Sequence, residues 1–114
     1  MNYHTVTDER DEHIWSMVTV HCGETFFTVR GLPFTYHQKI SRTGEALGEL
    51  VIDRKEKTIT RNTVLLAYER ALALMETEGC VSGPKKLGVF GASYLYPMFL
   101  ELGVCRKERL ILTD

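Results

Sequence analysis

Asn62-Thr63-Val64-Leu65-Leu66-Ala67-Tyr68-Glu69-Arg70-Ala71-Leu72-Ala73-Leu74-Met75-Glu76-Thr77-Glu78 is where the hydrophobic period of this chain changes, and its reading decides the fold. Val64, Tyr68, Ala71, Leu72 and Met75 recur at offsets of four, seven, eight and eleven and make one stripe of an α-helix, with Glu69, Arg70, Glu76 and Glu78 on other faces. Thr60 or Asn62 supplies an acceptor for the orphan amides at the start, and Gly79 stands where a left-handed residue ends a helix. The stripe predicts Leu65, Tyr68 and Leu72 as core residues.

Upstream the period is two. Ile14 to His21 alternates, Thr25 to Arg30 is aromatic and β-branched, and Cys22-Gly23-Glu24 between them predicts the turn of a hairpin. Gly31-Leu32-Pro33 reads as a bend or bulge before Phe34, Tyr36, Gln38 and Ile40 resume the alternation. Ser41 to Gly44 is a turn by composition, Glu45 to Ile52 a strand with Gly48 as a weak point or second bulge, and Asp53 to Lys57 a charged tip before Thr58-Ile59-Thr60. Downstream, Ser93 to Leu102 predicts a second helix through Leu95, Phe99 and Leu102, with Pro97 tolerable near the first turn if Ser93 is the cap, and Gly103 as the stop. Arg109 to Leu112 predicts a short C-terminal strand.

The expected fold class is therefore α+β: an antiparallel sheet of four to five strands in the N-terminal half, then two helices packed on one face. Its core draws on Trp15, Phe26, Phe34, Tyr36, Leu50 and Ile52, with Leu65, Tyr68 and Leu72 of the first helix and Phe99 and Leu102 of the second. A chain of 114 residues, 44% hydrophobic and 25% charged, fits one globular unit. Residues 1–12 read as a flexible acidic arm, since Asp8, Glu9, Asp11 and Glu12 outnumber Arg10, and residues 13–114 as a single α+β domain.

Formal net charge is −1, with a mild basic bias over residues 53–86, where seven Lys or Arg face five Asp or Glu. Cys22, Cys80 and Cys105 are odd in number and without paired spacing, so free thiols of a cytoplasmic protein are expected. The apolar runs are too short for a transmembrane helix, so no membrane partner is expected.

Chemistry concentrates in Cys80-Val81-Ser82-Gly83-Pro84-Lys85-Lys86-Leu87-Gly88 and the residues that follow. Glycines beside two lysines let backbone amides approach a phosphate, yet GxxxxGK[S/T] is absent, and the loop reads first as a chain reversal under solvated lysines. His4, His13, His21 and His37 with the three cysteines show no paired ligand spacing, so neither a metal nor another cofactor is expected. His21 and Cys22, adjacent on a strand, would point to opposite faces, and Gly91-Ala92-Ser93 is not a nucleophile elbow, so the reading leans away from an enzyme.

Tyr94, Tyr96 and Phe99, with Phe34 and Tyr36, either stack on unpaired bases or seal the junction of the second helix with the sheet. The expected function is a small non-catalytic binding module, nucleic-acid-binding or regulatory, with Arg54, Lys55, Lys57, Arg61, Lys85, Lys86, Ser93 and Tyr94 as its candidate site. The alternative is a homodimeric domain or one that binds another protein. A third reading is an anion-binding protein or small enzyme with its site at the loop before Ser93.

Overall fold

The computed structural model describes residues 4–111, with side chains from residue 9 onward. Helix α1 (His4–Val20) leads into β1 (Phe26–Phe27), β2 (Pro33–Phe34), β3 (Tyr36–Ile40), β4 (Ala46–Ile52) and β5 (Lys57–Thr60). Helix α2 (Arg61–Thr77), a 3-10 turn (Pro84–Lys86) and helix α3 (Ala92–Glu101) complete the order. The fold is α+β, with two antiparallel sheets, β1-β2 and β3-β4-β5, and three helices.

The first correction falls on residues 14–21, read above as a strand: residues 14–20 belong to α1 and His21 to the turn that follows it. Ile14 and Val18 are fully buried while Val20 is largely exposed, a burial pattern that a strand face containing all three could not give. An offset of four belongs to both periods, so the Ile14/Val18 pair could not tell them apart. The acidic stretch from His4 to Glu12 forms the first turns of the same helix, and residues 1–3 lie outside the described residues. Two long-range contacts hold α1 in place. The Tyr36 hydroxyl donates to the Val18 carbonyl at 2.6 Å, and Arg61 Nη2 donates to Glu12 Oε2 at 2.7 Å.

The turn at Cys22-Gly23-Glu24 therefore ends a helix instead of closing a hairpin. The hairpin is made one segment later, with Phe26 opposite Phe34 and Phe27 opposite Pro33. Its tip is tied by Thr28: the Thr28 amide donates to the Leu32 carbonyl at 2.9 Å, and the Leu32 amide to Thr28 Oγ1 at 3.1 Å. Arg30 thus lies in a turn and not in a strand.

β3 and β4 pair from Tyr36↔Ile52 to Gln38↔Leu50, then shift register before Ile40↔Ala46. Gly48, at φ +71°, sits in that shift, the bulge that its place in the strand suggested.

Thr60 caps α2, its Oγ1 accepting from the Thr63 amide at 3.2 Å, and Gly79 follows at φ +76°. The innermost residues of α2 are Val64, Ala67 and Ala71. Leu65 and Tyr68 pack on the edge of the core, and Leu72 lies outside it, so the predicted stripe is rotated toward the small residues. Alanines let a helix approach its neighbours closely, whereas a reading weighted by side-chain size favours leucine.

α3 is buried from Tyr94 through Phe99, as its nearly continuous apolar sequence requires. It starts at Ala92 with Gly91 as the cap, which places Pro97 at the sixth helical position and leaves the Ser93 carbonyl without an amide four residues on. Tyr96 donates to the Val81 carbonyl at 2.6 Å and fixes the loop before the 3-10 turn. Cys22, Cys80 and Cys105 are free, and burial pushes the Cys105 thiol up to about 11. The C-terminal strand is a further correction: Arg109 to Ile111 are not in a strand, and Leu112 lies outside the described residues. Among the described residues no helix is long and apolar enough to cross a membrane.

Candidate functional site

The end of β4 and the tip of the β1-β2 hairpin meet the start of α3 at a cleft of about 400 Å³. Arg30, Arg54 and Lys55 line it with Ser93, Tyr94 and Pro84, and Val29 and Leu32 add apolar surface. A second, shallower cleft of about 530 Å³ is lined by Lys85, Gly88, Val89, Gly91 and Ala92, and shares Pro84 and Ser93 with the first. Among the described residues no Asp or Glu lines either cleft. In a chain with net charge −1, four cations without a lining carboxylate make this region locally positive.

Asp53 fixes the Arg54-Lys55 turn. Its Oδ1 accepts from the Thr35 amide at 2.8 Å, its Oδ2 from Thr35 Oγ1 at 2.8 Å, and its own amide donates to the Thr35 carbonyl at 3.0 Å. The Thr35 amide, then the Thr35 hydroxyl, hold the Asp53 carboxyl below its ordinary value. A depressed folded-state pKa contributes stability above the unfolded value of about 3.9, lost as pH falls through the folded value. Asp53→Asn is therefore expected to be less stable than wild type at neutral pH, with the difference shrinking below about pH 4. Urea unfolding at graded pH measures this, and a difference that persists undiminished in acid would show that the carboxylate charge is irrelevant.

The second cleft is fixed from α2. Arg70 Nη1 donates to the carbonyls of Leu87 at 3.0 Å and Gly88 at 2.7 Å, so a cation read as a surface charge instead clamps the glycine-rich loop.

The eight candidate residues divide accordingly. Arg54, Lys55, Ser93 and Tyr94 line the first cleft, and Lys85 and Ser93 the second. Lys57 lies over aromatic rings, its Nζ 5.2 Å from the centroid of Phe90 and 6.0 Å from that of Tyr94. Arg61 is drawn away to Glu12 and over Trp15, its guanidinium carbon 5.9 Å from the ring centroid, and Lys86 Nζ is 3.7 Å from Glu78 Oε1. The structure thus gathers part of the set and diverts Arg61 and Lys86 to counter-ions.

Of the aromatic cluster, Phe34, Tyr36, Tyr94, Tyr96 and Phe99 are all buried, with Tyr94 only 5% exposed and edge-on to Phe34 at 5.0 Å. They seal the junction of α3 with the hairpin and sheet, and none offers a free face for stacking. Sequence reasoning passed over Arg30, hidden in an apparent strand, and Phe90, which belongs to no periodic pattern. Among the described residues, no three His, Cys, Asp or Glu side chains gather as metal ligands would. Comparison with protein-family models, with curated proteins and with solved structures finds no match to this chain.

Proposed function

We propose that the protein is a non-catalytic binding module that holds the phosphate backbone of a nucleic acid in the two adjoining clefts. The observation that carries the reading is the convergence of Arg30, Arg54, Lys55 and Lys85 on concave surface without a lining carboxylate. Arg54 and Arg30 offer planar donor forks suited to phosphate oxygens, and the lysines offer point charge. A first cleft of about 400 Å³ is within the usual range for a small-ligand site and admits one nucleotide unit, with the Ser93 hydroxyl as an additional donor.

Four phosphate contacts to a single strand predict a slope of log K against log salt of about −3. Arg54→Ala with Lys55→Ala should flatten it by about 1.4 and weaken binding to all sequences alike, since phosphate contacts position without specifying. Lys86→Ala, already paired with Glu78, should leave the slope unchanged. Titration of labelled oligonucleotides at graded salt tests this. Absence of binding at protein concentrations near ~10⁻⁴ M, the weak end of non-specific affinity, refutes the reading.

A second reading, self-association or binding of another protein, is favoured by the exposed Ile40, Ala46 and Leu47 at the end of the β3-β4 hairpin. Sedimentation over a range of concentrations separates it from the first.

A further inference from the structure

Phe90 lies beside the second cleft, between the lining residues Val89 and Gly91, and the residue is 59% exposed. The five aromatics that sequence pattern singled out are buried, and of the two well-exposed phenylalanines, Phe27 lies with Glu101 in a cleft that no cation among the described residues lines, whereas Phe90 borders a cleft lined by Lys85. Its loop is held on both sides: Arg70 grips the carbonyls of Leu87 and Gly88, and Gly91 packs against Ile59. An exposed ring on a fixed loop is preorganised, so a ligand that stacks on it orders little else.

Lys57 sits over that ring at 5.2 Å and, among the described residues, has no carboxylate partner. A cation over an exposed ring is a weak contact, and the lysine stem is flexible. Stacking of a planar base covers more of the ring than an ammonium does, and it would release Lys57 toward a phosphate of the same strand.

Resting on the reading of the clefts given above, we propose that Phe90 is a stacking platform for an unpaired base and that Lys57 exchanges the ring for the backbone phosphate, so the ligand class is single-stranded nucleic acid. A duplex presents base faces that are already stacked and cannot use the platform. The anion clefts and the ring then act on different parts of each nucleotide, which is what separates a nucleic-acid strand from a simple polyanion.

The test is anisotropy titration of a labelled oligothymidylate of about 12 nucleotides, within the usual span of single-strand sites, alongside its duplex and inorganic polyphosphate. Phe90→Leu should weaken oligothymidylate binding by about 5- to 150-fold, the worth of one stacked base, and leave polyphosphate binding unchanged. Phe90→Tyr, which keeps a π-face, should bind like wild type, and the duplex should bind more weakly than the single strand. Since the ring is exposed, thermal melts of both variants should match wild type, which makes a lost affinity attributable to the ring. Oligothymidylate binding that survives Phe90→Leu but falls with Arg54→Ala and Lys55→Ala overturns the platform and leaves the clefts standing. Binding of neither polyanion by wild type overturns both.

Discussion

Truncating Phe99 to alanine is expected to lower the free energy of unfolding by about 3–5 kcal/mol, the range for a large aromatic removed from a packed core. Phe99 is fully buried in a helix whose residues from Tyr94 through Met98 are also buried, so water cannot enter to relieve the void. Its ring meets Tyr68 of α2 edge-on, 6.5 Å between centroids, and truncation therefore loosens α2 as well as α3. Set against a typical total of about 5–15 kcal/mol for a domain, a loss of this size brings the variant close to unfolding. Leu72→Ala is the contrast, because Leu72 is only partly covered and lies outside the core cluster. Chemical denaturation of both variants decides the orientation of α2: equal losses would put Leu72 back in the core where the stripe of large residues placed it.

That contrast locates what was legible. The period of 3.6, the Thr60 cap and Gly79 together mark α2, because each is a local signal that tertiary contacts had no reason to override. Its rotation was not legible, since Ala67 and Ala71 are the innermost residues only because neighbours from other elements approach them. α1 failed for a different reason, the coincidence of helical and strand periods at an offset of four over a segment too short to separate them.

The site shows the same division. Arg54, Lys55, Ser93 and Tyr94 could be nominated from composition, but sign alone does not say which cations remain available. Glu12, 49 residues from Arg61 in sequence, gives that arginine a counter-ion, and no local pattern announces such a pair. Arg30 and Phe90 carry weight only because a turn and a loop bring them beside residues far away along the chain.

Gly91 joins the fold to the clefts, and replacing it with alanine is expected to cost about 2–5 kcal/mol. Two effects combine. At φ +78° a side chain meets the left-handed penalty of about 1–2 kcal/mol. The added Cβ would also lie 2.5 Å from Ile59 Cδ1 and 2.9 Å from its Cγ1. Ile59 is fully buried, so relief requires the core or the loop to shift, at about 1–3 kcal/mol for overpacking. Gly103 provides the matched control: it has the same φ of +78° but nothing within 4 Å of an added Cβ, so Gly103→Ala should show only the conformational part. Ile59→Val removes the Cδ1 methyl that makes the closest contact, and in the Gly91→Ala background it should cost less than it does alone. A double-mutant cycle of Gly91→Ala with Ile59→Val reads this coupling directly. A cycle that closes to zero would mean that the loop moves and the core does not, and then Gly91→Ala should displace Phe90 and Ser93 and weaken oligonucleotide binding, with a stability loss no larger than that of Gly103→Ala.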